Sequence, residues 1–272
     1  PTVESAAAAA SQDSQDSSSQ EQNSDSSTDS SASQESAAAS QEEGTLSPSS
    51  GSSTFTDNSD SSMDNVLSQV QSLLPTDNGT WSVYVCNLAK NTEGAINDQK
   101  MQAASLIKLY IMGAVYEDYD SLSTTYGKET LDNNLNSMIT VSDNESFNEL
   151  VRLQTTSGVF KDGAEAVNAF LAESQFADTS VQHTLSPSAS KDAGLGGRNT
   201  TSVKDCGELL SRIYKGECVS KEASEAMLNL LLNQQVTTKI PSGISASVEI
   251  ANKTGETDTD QHDIAIVYGE KT

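Results

Sequence analysis

Ser105-Leu106-Ile107-Lys108 heads an apolar run, Leu109-Tyr110-Ile111-Met112-Gly113-Ala114-Val115-Tyr116, which reads as a buried helix from Ser105 to about Tyr116. Three-residue spacing on a helix puts Ser105 and Lys108 on one face, one turn apart, so the amine can reach the hydroxyl. A serine hydroxyl is a weak nucleophile at neutral pH and needs a base within hydrogen-bond reach. A lysine buried beneath apolar neighbours has a lowered pKa and can supply that base. The helix N-terminus adds partial positive charge and a backbone N–H at Ser105, half of an oxyanion hole.

Two more motifs follow in order, Ser142-Asp143-Asn144 and Lys253-Thr254-Gly255. In one acyl-transfer site, Ser142 would relay a proton to a leaving nitrogen and Asn144 would donate its amide to a substrate carbonyl. Lys253 would hold Ser142 and a substrate carboxylate. The strand edge from Thr254 through Gly255 to Glu256 would align a peptide-like backbone, with the Glu256 N–H as second oxyanion donor. Taken singly, each motif has an ordinary structural reading: Ser105 a helix N-cap, Ser142 and Asp143 the cap of the next helix, Lys253 a solvated strand residue. A second Ser-x-x-Lys, Ser188 to Lys191, falls in a Gly-rich loop, and Asp-Asn pairs recur at 57, 64, 77, 132 and 143, only the last preceded by Ser. The ordered triple, each member in a fitting local context, points to an active site.

Around the motifs the pattern is mixed. Met63, Val66, Leu67, Val70, Leu73 and Leu74 have helical spacing that starts near Ser62 and stops at Pro75. Trp81 to Leu88 alternates as a strand, and the Asn91–Gly94 turn leads into a second, making a hairpin. Helices are expected near 128–138, 143–154, 162–174, 203–214 and 220–233, with loops at 186–190 and 194–197. Strands are expected at Val248–Asn252 and Ile264–Tyr268. Strands, then helices, then strands predict one α+β domain over 63–272.

Residues 1–62 hold eleven carboxylates, no Lys or Arg, and Phe55 as their only aromatic. Such Ser/Gln/Ala/Asp-rich sequence cannot bury enough apolar surface to offset about 1–2 kcal/mol of backbone entropy per residue, so it reads as a disordered acidic tether. The net charge of -24 falls to -13 on residues 63–272, still acidic enough to argue against nucleic acid as a partner. No run approaches about 18 apolar residues, so a membrane enters only through an N-terminal anchor preceding Pro1. A tether of this kind suits an extracellular or surface-attached protein. Cys86 sits in a strand pattern and reads as buried. Cys206 and Cys218 flank one helix and are a candidate disulfide in an exported chain.

With its three motifs, the chain resembles the class A β-lactamase group of penicillin-recognising serine hydrolases over about residues 63–272, and Arg198-Asn-Thr-Thr201 looks like the end of that family's Ω-loop. The resemblance implies a β-lactamase/transpeptidase-like fold, an antiparallel sheet flanked by a helical subdomain. It also implies an acyl-enzyme on Ser105 with β-lactams or D-alanyl peptides from peptidoglycan, and no metal or organic cofactor. A D-Ala-D-Ala carboxypeptidase, an esterase, or a non-catalytic cell-wall-binding module on the same scaffold are the alternatives. Three departures stand out. The family's Glu-x-x-Leu-Asn stretch is missing, its slot falling near Ser186, with Glu173, Asp178, Asp192 or His183 as substitutes for its base. Ser105 to Ser142 is shorter than usual, which predicts a reduced upper wall to the cleft. The chain stops after Ile264–Tyr268, so the family's last strand and C-terminal helix are expected to be lacking, leaving sheet edges unpaired and the N-terminal hairpin unsupported.

Overall fold

The computed structural model describes residues 60–77, 79–186 and 194–269. The expected tether lies outside them except for its last three residues, which start a helix. Asp60 caps Ser61–Leu73 (α1), its carboxylate accepting from the N–H groups of Ser62 and Met63. Val83–Asn87 (β1) and Thr92–Ile96 (β2) pair antiparallel, and α1 lays Met63 and Leu67 onto Ile96. Met101–Gln102 (β3) leads into a 3-10 turn, Ala104–Leu106, and then Ile107–Glu117 (α2). Every residue from Ile107 to Val115 is buried, as an all-round apolar helix requires.

Tyr119–Tyr126 (α3), Lys128–Thr140 (α4), Asn144–Arg152 (α5) and Phe160–Glu173 (α6) pack around α2, and after the two-residue strand Thr200–Thr201 (β4) comes Val203–Lys215 (α7). Lys221–Leu232 (α8) follows, then a 3-10 turn at Ile240–Gly243 and the hairpin Glu249–Glu256 (β5) and Gln261–Tyr268 (β6). Ser202 caps α7 and Ser220 caps α8, while Gly216 ends α7 at φ 75°. One core runs from Ala103 and Leu106 through Tyr110, Phe147 and Phe160 to Met227, Ala251 and Ile266. No helix among the described residues is long and apolar enough to cross a membrane.

The α+β reading holds, with the antiparallel strands among the described residues arranged as three two-stranded ladders, β1–β2, β3–β4 and β5–β6. The N-terminal hairpin is not unsupported. It is sandwiched by α1 and α7, and Tyr84 lies directly over Gly207, where any Cβ would stand 2.1 Å from the ring. The disulfide expectation is corrected: Cys206 and Cys218 are free and buried. Cys206 lies in the first turn of α7 and Cys218 beyond its end. The intervening helix, roughly 14 Å at 1.5 Å per residue, far exceeds disulfide reach. Tyr110 donates to Cys206 Sγ at 3.4 Å, and burial pushes both thiols up to about 11, which makes them inert.

Helices α5 and α6 cross at Gly163, where a Cβ would stand 1.9 Å from the Val151 carbonyl oxygen. Ala would gain about 1 kcal/mol of helix propensity. Forcing two backbones apart costs more, so Gly163→Ala is expected to lose about 2–3 kcal/mol in urea denaturation. An unchanged midpoint would mean that the crossing relaxes freely.

Candidate active site

The three motifs meet at one point. Ser105 sits in the 3-10 turn rather than at the start of α2, yet the one-turn relation survives: Lys108 Nζ is 3.0 Å from Ser105 Oγ. Ala104 just before it adopts φ 46°, a left-handed conformation that turns the serine out of the strand-to-helix corner. Ser142 has φ 61° and joins α4 to α5; Asp143 caps α5 by accepting from the Ser146 N–H at 2.6 Å. This corner presents Ser142 to α2. Lys108 Nζ donates to the Ser142 carbonyl at 2.6 Å and Asn144 Oδ1 at 2.7 Å, and lies 3.1 Å from Ser142 Oγ.

Lys253, on β5, is as buried as Lys108; its Nζ lies 2.9 Å from Ser142 Oγ and 2.8 Å from the Thr254 carbonyl. Ser142 Oγ thus bridges two buried amines. Burial lowers Lys108 to about 8, with Asp143 opposing. Burial, and then the charge of Lys108, lowers Lys253 to about 7, with Asp263 opposing. Two neighbouring ammonium groups in a dry pocket repel, so at least one sheds its proton near neutrality. In Lys108 two N–H groups are committed to acceptors that cannot donate, Ser142 O and Asn144 Oδ1. When the amine is neutral, its lone pair is left facing the serine hydroxyls.

A cavity of about 270 Å³ opens over Ser105, walled by Gln102, Asn144, His183, Thr184, Asn199 and Glu256 among others. Gly255 lets β5 approach its floor: a Cβ there would stand 3.1 Å from both the Ser105 and Leu106 nitrogens. Gly255→Ala is expected to push β5 off the Ser105 turn by a few tenths of an ångström and slow acylation about 10-fold at little cost in stability. A wild-type acylation rate in that variant would show that the turn tolerates the shift.

Several positions differ from expectation. One Asn144 amide N–H is already taken by the Ser186 carbonyl at 2.8 Å, and its oxygen by Lys108, so Asn144 braces the site and has only its second N–H left for a substrate. Glu173, at the end of α6, and Asp178, which pairs with Lys100 at 3.9 Å, do not line the cavity. Asp192 and the second Ser-x-x-Lys lie outside the described residues. His183 does line the cavity. Lys239 went unnoticed in the sequence because nothing local marks it. Its ammonium donates to the carbonyls of Gly255 at 3.2 Å and His262 at 3.1 Å and pairs with Glu256 at 3.4 Å, bracing the end of β5.

The family model of the beta-lactamase enzyme family matches residues 65–126 and 122–272, nearly all of the chain beyond the acidic segment. The chain belongs to the beta-lactamase enzyme family. It resembles class A β-lactamases of known structure in fold. A variant of the reconstructed class A enzyme of the last common ancestor of Gram-negative bacteria superimposes with TM-score 0.62 at 20% identity, over 75% of this chain and 84% of that one. The β-lactamase from Sphaerobacter thermophilus gives 0.61 at 19% identity, over 76% and 84%. That from Desulfarculus baarsii gives 0.61 at 18%, over 77% and 84%. No curated protein sequence matches the chain significantly. As a member of the β-lactamase family the chain is a hydrolase by kinship, and Lys108, Ser142 and Lys253 form one hydrogen-bonded cluster with Ser105, which lines the cavity.

Proposed function

We propose that this β-lactamase-family protein is a serine acyl-hydrolase that opens β-lactams or related D-alanyl amides through an ester on Ser105. One observation carries the reading: Lys108 Nζ stands 3.0 Å from Ser105 Oγ, its other bonds spoken for by Ser142 O and Asn144 Oδ1. Neutral Lys108 takes the hydroxyl proton as Ser105 Oγ attacks the amide carbonyl. The Ser105 and Glu256 backbone N–H groups receive the developing oxyanion. Ser142, held between the two amines, passes a proton to the leaving nitrogen as the C–N bond breaks. Lys108 returns the proton it took to Ser142 Oγ and is neutral again, while Lys253 faces the substrate carboxylate.

The test is intact mass after adding benzylpenicillin, with the adduct mapped to a peptide. A gain equal to the whole drug on the peptide containing Ser105 supports the reading. A folded protein that gains no mass and consumes no drug refutes it, leaving a hydrolase of other specificity or a binding module. Turnover of D-alanyl-D-alanine peptides in preference to the drug would assign the carboxypeptidase role.

A further inference from the structure

An ester on Ser105 is released only if water attacks it, and at neutral pH water needs a base. Among the described residues, the ionisable side chains on the cavity wall are His183 and Glu256. The Glu256 carboxylate is mostly exposed and is neutralised by Lys239 at 3.4 Å, which makes it a poor base. His183 is placed differently. Its Nδ1 lies 2.6 Å from the Thr184 carbonyl, which can only accept, so Nδ1 carries the proton and Nε2 keeps the lone pair. The backbone that carries the ring is clamped by Asn199, whose Oδ1 accepts from the Gln182 and His183 N–H groups at 2.7 and 3.1 Å and whose Nδ2 donates to the His183 carbonyl at 3.0 Å. The backbone carbonyl of the same Asn199 accepts from the Ala103 N–H at 2.8 Å, two residues from Ser105, so one residue ties the imidazole segment to the nucleophile's turn.

Beside the histidine is a polar atom with nothing to bond. Thr184 is fully buried on the cavity wall, and its hydroxyl is without a hydrogen-bond partner among the described residues. A buried orphan hydroxyl costs about 1–3 kcal/mol, which a water molecule would relieve.

We propose that His183 and Thr184 are the deacylation pair: Thr184 Oγ1 anchors the hydrolytic water and His183 Nε2 takes its proton. This rests on the reading of Ser105 as the acylated residue. The water oxygen bonds to the ester carbonyl carbon while Nε2 takes one of its protons. The tetrahedral intermediate then expels Ser105 Oγ, and the imidazolium returns that proton to it. Ester and water become a carboxylic acid and free serine, with no other reactant.

The test measures adduct formation and clearance separately with benzylpenicillin, by rapid quench and intact mass, on folded variants checked by circular dichroism. In His183→Asn, which retains a donor for the Thr184 carbonyl, clearance should slow about 10²–10⁴-fold and the Ser105 adduct should accumulate. Free imidazole should restore part of the clearance in His183→Ala, which a purely structural role would not permit. Thr184→Val should slow clearance about 10-fold, and Thr184→Ser should recover it. Wild-type clearance in His183→Asn, or a wild-type adduct that never clears, would overturn the pair while leaving Ser105 as nucleophile. A wild-type protein that forms no adduct and consumes no drug would overturn both.

Discussion

Ser105→Ala takes up no mass from benzylpenicillin, while the protein remains folded with a thermal midpoint within a few degrees of wild type. The chemical half follows from the loss of Oγ, to which the acyl group would be bonded. The structural half follows from what remains. Lys108 Nζ keeps the Ser142 carbonyl, Ser142 Oγ and Asn144 Oδ1, and Lys253 keeps Ser142, so no buried donor is orphaned. Labelling of this variant at the wild-type rate would remove Ser105 from the mechanism and turn attention to Ser142.

Lys108→Met is the second large effect. Met fills the buried slot without an amine, and acylation should fall about 10²–10⁴-fold if Lys108 is the base. The pH dependence gives an independent check. Burial holds Lys108 at about 8 and Lys253 at about 7, so wild-type acylation should climb as pH rises through that range and then level off. The residual rate of Lys108→Met should lack the Lys108 limb. Stability carries the same signature. In the unfolded chain lysine titrates near about 10.4, so between about 8 and about 10.4 the unfolded state holds a proton on Lys108 that the folded state lacks. Stability from this group is therefore fully present above the unfolded value and is lost as pH falls through about 8. Urea denaturation at about pH 6 and about pH 10 should show wild type gaining on Lys108→Met at the higher pH. Equal differences at both would mean that Lys108 stays protonated throughout.

Most of the secondary structure was legible because its signals are local. The all-apolar stretch from Ile107 to Val115, the Asp143 and Ser202 caps and the alternation of Val83 to Asn87 each act over a few residues. What escaped was whatever draws its stability from elsewhere. Helix α3, Tyr119-Asp-Ser-Leu-Ser-Thr-Thr-Tyr126, buries only Leu122 and has no apolar period; Leu122 and the two flanking tyrosines pack against the core. The two-residue strands β3 and β4 are held by pairing with each other, and Thr200 of β4 also bridges to Ser180. The Cys206–Cys218 pairing failed because helix α7 fixes a separation that spacing in sequence does not reveal.

The sequence by itself determined which residues are the candidates for the site, since Ser-x-x-Lys, Ser-Asp-Asn and Lys-Thr-Gly are short patterns legible over three or four residues each. Only the tertiary structure decided how they are charged and what stands opposite them. The depressed proton affinities of Lys108 and Lys253 come from burial against α4, α5 and each other, across 145 residues of chain. His183 reaches the cavity because Asn199, sixteen residues on, folds its loop back to Ala103. Both are long-range electrostatic and hydrogen-bonding effects, set by contacts that no local pattern encodes.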